Sequence, residues 1–246
     1  MRQLLPEPAD EVDPDDLYPA DARPAQAGRP WLLLNMVTSL DGASTLDGRS
    51  GGLGGAADRA VFAVLRSVPD VILAGAATVR AEGYGPPRVS EEHQAARRAR
   101  GQEPYPRLAI VSGRLDLDLD AALFTTTPSR PIVVTGSASP ADRRAALGEV
   151  ADVVVAGTDR VEWPAALGQL GDLGAGIVLC EGGPSVNAQL LAAGLVDELC
   201  VTIGPVLVGG SSKRMIEAGG ADTPMWMQLD RLLEDDGVLL ARYVRA

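Results

Sequence analysis

The chain has 246 residues and a formal net charge of −11, from 22 basic and 33 acidic side chains. This length predicts one large domain or two small ones, and it is ample to bury a core. Because 46% of the residues are hydrophobic and 22% are charged, whole-chain disorder is excluded. The acidic balance argues against nucleic acid as a partner.

The sequence gives no sign of a membrane or secreted protein. Its longest apolar runs fall far short of the roughly 20 residues that span a bilayer, and its start lacks the basic and apolar stretches of a signal peptide. Cys180 and Cys200 lie in apolar, strand-like segments, which favours reduced core thiols in a cytoplasmic protein. The single histidine, His93, argues against zinc and serine hydrolases, which use histidine as a ligand or base.

Taken in chain order, residues 1–29 are predicted to form an irregular acidic arm, because they hold seven acidic residues and five prolines. Residues 30–246 are expected to form one domain, since no linker interrupts them. Strands and helices alternate there, which predicts an α/β three-layer sandwich with a mixed, mainly parallel central sheet. The predicted strands cover residues 31–36, 71–74, 108–111, 132–134, 153–156, 177–180, 199–203, 226–232 and 238–244. The predicted helices cover residues 61–68, 91–100, a short segment capped by Ser139-Pro140, 163–170 and 185–193. The last two strands suggest an antiparallel edge.

A glycine-rich loop, residues 41–55, follows the first of these strands. Within it, the residues from Gly52 to Ala57 match the G-x-G-x-x-A pattern of a dinucleotide-binding fingerprint, which must follow a strand directly and open a helix. Here the preceding strand is predicted to end near Met36, about 15 residues earlier. A loop that covers a ligand is therefore the favoured interpretation, with a plain loop as the alternative.

The sequence Glu181-Gly182-Gly183-Pro184-Ser185 joins a buried strand to a helix. Glycines let a phosphate approach the backbone, and the free N–H groups of the first helical turn point at such a ligand. Proline suits the first helical position because its missing N–H has no helical acceptor there. This pattern predicts a dinucleotide or phosphate cradle; the alternative is an ordinary strand–helix turn.

Two further strand ends carry small or polar residues. The strand before Gly75 runs into alanines and Thr78, and the strand ending at Val111 continues into Ser112-Gly113-Arg114. Because ligands of open α/β sheets gather at the carboxyl ends of the strands, these ends make a cofactor groove plausible. Acidic residues near the predicted loops are Asp41, Glu82 and Glu181, for which simple solvation is the alternative.

Six motifs occur in the order that is typical of one family. They are Ser39-Leu40-Asp41-Gly42, Val64-Leu65-Arg66, the stretch from Gly75 through Thr78 to Glu82, Glu181-Gly182-Gly183-Pro184, the stretch from Leu195 to Leu199, and the stretch from Gly204 to Gly209. In these motifs the chain resembles the C-terminal reductase domain of the bacterial bifunctional riboflavin-biosynthesis deaminase–reductase, within the wider dihydrofolate-reductase-like fold. The resemblance runs from about residue 30 to residue 244.

The resemblance implies a homodimer that uses NADPH to reduce a ribosylaminopyrimidine 5′-phosphate, such as 5-amino-6-(5-phosphoribosylamino)uracil, to its ribityl form. The deaminase half is absent, because no His-x-Glu occurs with Pro-Cys-x-x-Cys. Two alternatives stay open. The chain could reduce another pterin or pyrimidine, for example dihydrofolate, with the same cofactor, or it could be a non-catalytic NADPH-binding dimer.

The resemblance also assigns residues to roles. It places Thr78 and Glu82 at the junction of cofactor and substrate, and Gly183, Pro184 and Ser185 at the pyrophosphate. The strand ends and the glycine turn described above add Gly75, Val111, Ser112, Gly113, Arg114 and Gly182 to the cofactor side, with the 2′-phosphate expected at Arg114. The substrate side comprises Ser50, Arg66 and Arg88 for the phosphate and Glu181 for the pyrimidine. Without a suitable histidine, the proton is expected from Asp41, Glu82 or water, and no metal is expected.

Departures from the family pattern lie on the substrate side. Ala43 stands where the family commonly has a basic residue, and Gly51-Gly52 stand where it has an aromatic residue. The usual Ala-Asp-(Asp/Asn)-Pro is replaced here by Ala81-Glu82-Gly83-Tyr84. The motifs therefore support the cofactor more strongly than the substrate.

Overall fold

The computed structural model describes residues 1–217 and 224–246. The chain divides into two compact units. Unit 1 comprises Met1–Ala22, Leu32–Val68 and Cys180–Ala246, and unit 2 comprises Arg23–Trp31 and Pro69–Leu179.

Unit 1 is built on five strands. In chain order they are β1 (Arg2–Leu5), β2 (Trp31–Ser39), β8 (Glu198–Gly204), β9 (Met227–Asp235) and β10 (Val238–Arg245). Their order in the sheet is β1-β9-β10-β8-β2, and only β2 and β8 run parallel. The helices of this unit are α1 (Pro14–Leu17), α2 (Gly55–Ser67) and α8 (Pro184–Ala192).

Unit 2 holds the other strands, in the order β7-β3-β4-β5-β6. Their bounds are β3 (Val71–Gly75), β4 (Arg107–Val111), β5 (Ile132–Thr135), β6 (Asp152–Val155) and β7 (Ile177–Cys180). The pairs from β3 to β6 are parallel, and β3, β4 and β5 are almost entirely buried, which explains their continuous apolar sequences. The helices are α3 (Ala76–Glu82), α4 (Glu91–Ala99), α5 (Ala122–Thr125), α6 (Ala141–Val150) and α7 (Trp163–Asp172). The predicted fold class, a mixed α/β sheet with helices on both sides, is confirmed.

The first residues are ordered against the main body, in a strand and a short helix in place of the predicted irregular arm. Strand β1 pairs antiparallel with β9 and forms an edge of the sheet, outside the predicted edge pair β9 and β10. Asp13 caps α1, where its side chain accepts a hydrogen bond from the Asp15 amide. Tyr18 is buried beneath the guanidinium of Arg231, which stacks on its ring at 4.5 Å. Local composition predicted irregular structure here because the charged partners of this segment, such as Arg231, lie more than 200 residues away.

Asp21 extends this attachment into a buried ionic cluster. Its carboxylate accepts two hydrogen bonds from Arg231, at 2.9 and 2.6 Å, and lies 3.1 Å from Nε of Arg242. Arg242 also donates to the fully buried Glu198 at 2.8 Å. Because Arg231 and Arg242 face each other across β9 and β10, the acidic residue from the arm offsets their mutual repulsion.

Smaller differences concern helix starts and burial. Pro140, not Ser139, is the N-cap of α6, because the Ser139 hydroxyl donates to the carbonyl of Gly136. Helix α4 lies close to its predicted position, but its Arg97 is buried and donates to the carbonyls of Pro69 and Glu103. None of the helices within the described residues has the length and apolar content needed to cross a bilayer.

Candidate active site

The start of helix α8 has the features of an anion-binding site. Gly182 adopts a left-handed backbone with φ +93°, and Gly183 is the N-cap, with no side chain capping the helix. The amides of Val186 and Asn187 both donate to the carbonyl of Gly183. The amide of the exposed Ser185 donates no hydrogen bond among the described residues. An uncapped N–H at the positive end of the helix dipole, next to side-chain-free glycines, suits a phosphate group.

Glu181, the residue just before these glycines, forms a forked ion pair with Arg66. Arg66 donates from Nε and Nη2 to the two carboxylate oxygens at 2.7 and 2.6 Å. The Glu181 side chain is only 3% exposed and that of Arg66 is 24% exposed. The Arg66 guanidinium also lies 4.4 Å from the ring centroid of Phe62, one turn earlier on α2.

This pair joins two residues whose predicted roles toward the substrate stay predictions. The resemblance assigns Arg66 to the substrate phosphate and Glu181 to the pyrimidine, as separate contacts. In the structure two guanidinium donors of Arg66 are already directed at Glu181. Planar fork-to-fork geometry holds the carboxylate in one orientation, so the two residues act together.

Asp41, one of the predicted proton donors, lies in a network of hydrogen bonds. Its carboxylate accepts hydrogen bonds from the Ser39 hydroxyl at 2.6 Å and from the amides of Val208 and Gly209 at 3.1 and 2.6 Å. These bonds lower the pKa of Asp41 to about 2. The hydrogen bonds therefore favour the ionised form of this side chain.

Ser50 lies half-buried near the end of the glycine-rich loop, and its carbonyl accepts a hydrogen bond from the amide of Leu53. Helix α2 begins five residues after Ser50, at Gly55, whereas β2 ends at Ser39. The glycine pattern in this loop therefore lacks the direct strand–turn–helix context of a dinucleotide fingerprint. Unit 1 thus carries Asp41, Ser50, Arg66 and Glu181 together with the start of α8.

The remaining predicted residues belong to unit 2. Gly75 and Val111 are register partners on β3 and β4, so these two strand ends lie side by side as predicted. Gly75 is also the N-cap of α3, a helix that the sequence analysis did not anticipate; Gly83 ends it at φ +67°. Thr78 and Glu82 lie on this helix and are both half-buried.

The turn after β4 is ordered by Ser112. Its buried hydroxyl accepts a hydrogen bond from the Leu115 amide, which shapes the turn that presents Gly113 and Arg114 to solvent. Arg88, in the loop before α4, is exposed as well. The roles of Arg88 and Arg114 toward phosphates stay predictions.

Sequence reasoning missed Asp58, in the first turn of α2. Its Oδ1 accepts a hydrogen bond from the Thr202 hydroxyl at 2.6 Å. Burial raises the pKa of Asp58, although the bond from Thr202 and the charge of Arg59 act in the opposite direction. An acidic residue in a first helical turn was the available signal, but the prediction began this helix at Val61. Within residues 1–217 and 224–246, no three His, Cys, Asp or Glu side chains gather as a metal site requires.

The fold and this site define an α/β protein with a helix start suited to an anion at the carboxyl end of a strand. The family model of the RibD C-terminal domain matches residues 30–240. The chain therefore belongs to the RibD C-terminal domain family, and the resemblance drawn from its motifs is confirmed.

Two archaeal relatives carry the same name, 2,5-diamino-6-ribosylamino-4(3H)-pyrimidinone 5′-phosphate reductase. The relative from Methanothermobacter thermautotrophicus is 32% identical over 195 residues, which are 79% of this chain and 87% of that protein. The relative from Archaeoglobus fulgidus is 30% identical over 183 residues, 74% of this chain and 83% of that protein.

Solved structures agree with the fold. A pyrimidine reductase-like protein from Corynebacterium diphtheriae superposes with a TM-score of 0.83 at 28% identity, covering 96% of this chain and 99% of that one. RibD from Acinetobacter baumannii superposes with a TM-score of 0.69 at 21% identity, covering 89% of this chain and 59% of that one. These likenesses confirm the fold class that the sequence predicts.

Proposed function

We propose that the chain is an NADPH-dependent reductase that converts a ribosylaminopyrimidine 5′-phosphate to its ribityl form. The observation that carries the proposal is its similarity to two pyrimidinone 5′-phosphate reductases, which it matches over more than four fifths of their length. The ordered motifs at Asp41, Arg66 and Glu181 support the same activity, since all three residues belong to unit 1.

The start of α8 fits the cofactor that the fold implies. Gly182 and Gly183 leave the turn without side chains, and the Ser185 amide is available to a phosphate oxygen. These residues would hold the pyrophosphate of NADPH. When bound, NADPH supplies the hydride for the reduction.

The protein's own contribution is orientation and proton supply. Glu181, fixed by Arg66 at the end of β7, would accept a hydrogen bond from an N–H group of the pyrimidine. Since Asp41 is bound by three hydrogen bonds that favour its carboxylate form, we expect the proton from Glu82 or from water. Thr78 and Arg114 keep their predicted roles toward the cofactor, and Ser50 and Arg88 theirs toward the substrate phosphate.

The proposal is tested by following NADPH oxidation with the purified protein. Three substrates are compared: the 2-amino ribosylaminopyrimidine 5′-phosphate, its 2-oxo counterpart and dihydrofolate. We expect turnover of at least one ribosylaminopyrimidine and none of dihydrofolate. Oxidation with dihydrofolate alone would overturn the substrate class. Binding of NADPH by calorimetry, without oxidation in any mixture, would indicate a non-catalytic protein.

A further inference from the structure

The segment of residues 205–217, to which no role was assigned, lies against the beginning of the glycine-rich loop. The amide of Leu40 donates to the carbonyl of Val206 at 2.9 Å. Further along, the amide and the hydroxyl of Ser44 both donate to the carbonyl of Lys213, at 2.8 and 2.9 Å. The Ser212 hydroxyl returns a bond to the carbonyl of Thr45 at 3.2 Å. The two stretches are therefore joined at several points along their length.

Asp41 forms the charged part of this junction. Its two carboxylate oxygens separately accept the amides of Val208 and Gly209. Gly209 has φ +68°, in the left-handed region, so the backbone turns there and presents consecutive amides to one carboxylate. Ser39 supports the arrangement, because its hydroxyl donates to Asp41 and accepts the Ala43 amide. The ionised state of Asp41, favoured by the same bonds, lets it accept all three hydrogen bonds.

The other end of the segment is attached to helix α8. The side-chain amide of Asn187 is fully buried and donates to the carbonyl of Met215 at 2.8 Å. The amide of Glu217 donates to the carbonyl of Pro184, the first residue of the helix, at 3.4 Å. Asn187 lies in the first turn of α8, beside the glycine turn proposed to hold pyrophosphate.

We propose that residues 205–217 form a bridge that fixes the glycine-rich loop relative to the first turn of α8, with Asp41 and Asn187 as the positioning residues at its two ends. The bridge thereby sets the position of the loop that carries Ser50. The consequence for catalysis rests on the proposed function; the mechanical link does not. Asp41 acts on substrate binding through the bridge and transfers no proton.

The mechanical link is tested by amide hydrogen exchange, resolved by residue, on the protein without ligands. Asp41→Asn should speed exchange at Val208 and Gly209 and also at the distant Glu217 amide. Asn187→Ser should speed exchange at the Ser44 amide, whose acceptor is the Lys213 carbonyl. Asp47→Asn is the matched control in the same loop and should change none of these amides. Changes confined to the amides next to each substitution would overturn the bridge.

The catalytic consequence is tested by steady-state kinetics with the same variants. Asp41→Asn should raise KM for the ribosylaminopyrimidine about tenfold, since charge-assisted hydrogen bonds are lost, while kcat changes less than about threefold. Asp41→Glu should recover part of the affinity, and Asp47→Asn should behave as the unaltered protein. A collapse of kcat at unchanged KM would instead identify Asp41 as a proton donor and overturn the assignment. If the unaltered protein reduces no ribosylaminopyrimidine, the proposed function fails while the exchange experiment still decides the bridge.

Discussion

The ion pair between Arg66 and Glu181 leads to a prediction that separates two roles for the arginine. If Arg66 acts by orienting Glu181, Arg66→Ala should lower kcat/KM by the same factor for the phosphorylated substrate and for its dephosphorylated analogue. If Arg66 binds the phosphate directly, only the phosphorylated substrate should respond. Both forked donors of Arg66 point at Glu181, so we expect the first result.

The size of the effect follows from the burial and geometry of the pair. A hydrogen bond to a charged group contributes about 1.5–3 kcal/mol, which corresponds to a loss of about 10- to 150-fold in kcat/KM. Arg66→Ala also leaves the Glu181 carboxylate buried without its cation. Since Arg66 is partly exposed, the cost in stability should fall at the lower end of the range for buried pairs, about 3 kcal/mol, or about 6–12 °C in Tm.

The assay compares Arg66→Ala, Glu181→Gln and the double variant, well below the lowered Tm. The double variant should lose no more activity than the worse single variant, because both substitutions remove one interaction. Arg59→Ala, an exposed arginine on the same helix, is the control. Full additivity in the double variant, or a loss restricted to the phosphorylated substrate, would refute the orienting role.

Further predictions concern the cofactor, the arm, the pH dependence and the assembly. Gly183→Val should abolish NADPH binding by calorimetry, since φ −75° admits a side chain that would then occupy the phosphate position; unchanged affinity would place the pyrophosphate elsewhere. Asp21→Ala should lower Tm by about 6–20 °C, because it removes the carboxylate between Arg231 and Arg242 at a cost of about 3–5 kcal/mol; a shift below about 2 °C would contradict the cluster. The folded pKa of Asp58 is raised, so the stability this residue contributes is present at low pH and is lost as the pH rises through that pKa. Asp58→Asn should therefore flatten this part of the Tm–pH profile, and an unchanged profile would disprove the linkage. Light scattering should give the mass of a dimer, built partly on the half-exposed apolar residues of β8 and β10; a monomer mass at micromolar concentration would exclude it.

The strand ends and the turn at Gly182-Gly183 could be predicted because their signals are local. Four consecutive apolar residues, a carboxylate, two glycines and a proline specify a buried strand, a turn and a helix start within about nine residues. The structure places β7 and α8 within one residue of those expectations. Hydrophobic periodicity and helix capping depend on residues within the same short range. The local sequence therefore contains most of the information that determines this strand, its turn and the helix start.

The N-terminal residues could not be predicted in this way, because what orders them is distant in sequence. Arg2 pairs with Glu234, and Asp21 with Arg231, across more than 200 residues. Prolines and acidic side chains are read as disorder when no partner is visible nearby. The register between β1 and β9 shows that the arm supplies an edge strand, and the contacts of Asp21 show that it supplies a carboxylate for two buried cations.

In the candidate site, too, side chains find partners that are distant in sequence. These partners decide which groups are available to bind an anion. In a chain at −11, the sequence predicted arginines at the substrate phosphate and the 2′-phosphate, and the backbone at Gly182–Ser185 at the pyrophosphate. An arginine, however, is available to a ligand only to the extent that its donors are not already directed at carboxylates. Arg66 directs two donors at Glu181, whereas the Ser185 amide directs none at any described residue. The anion donor best supported in unit 1 is therefore the backbone at the start of α8, a group that composition and net charge do not reveal.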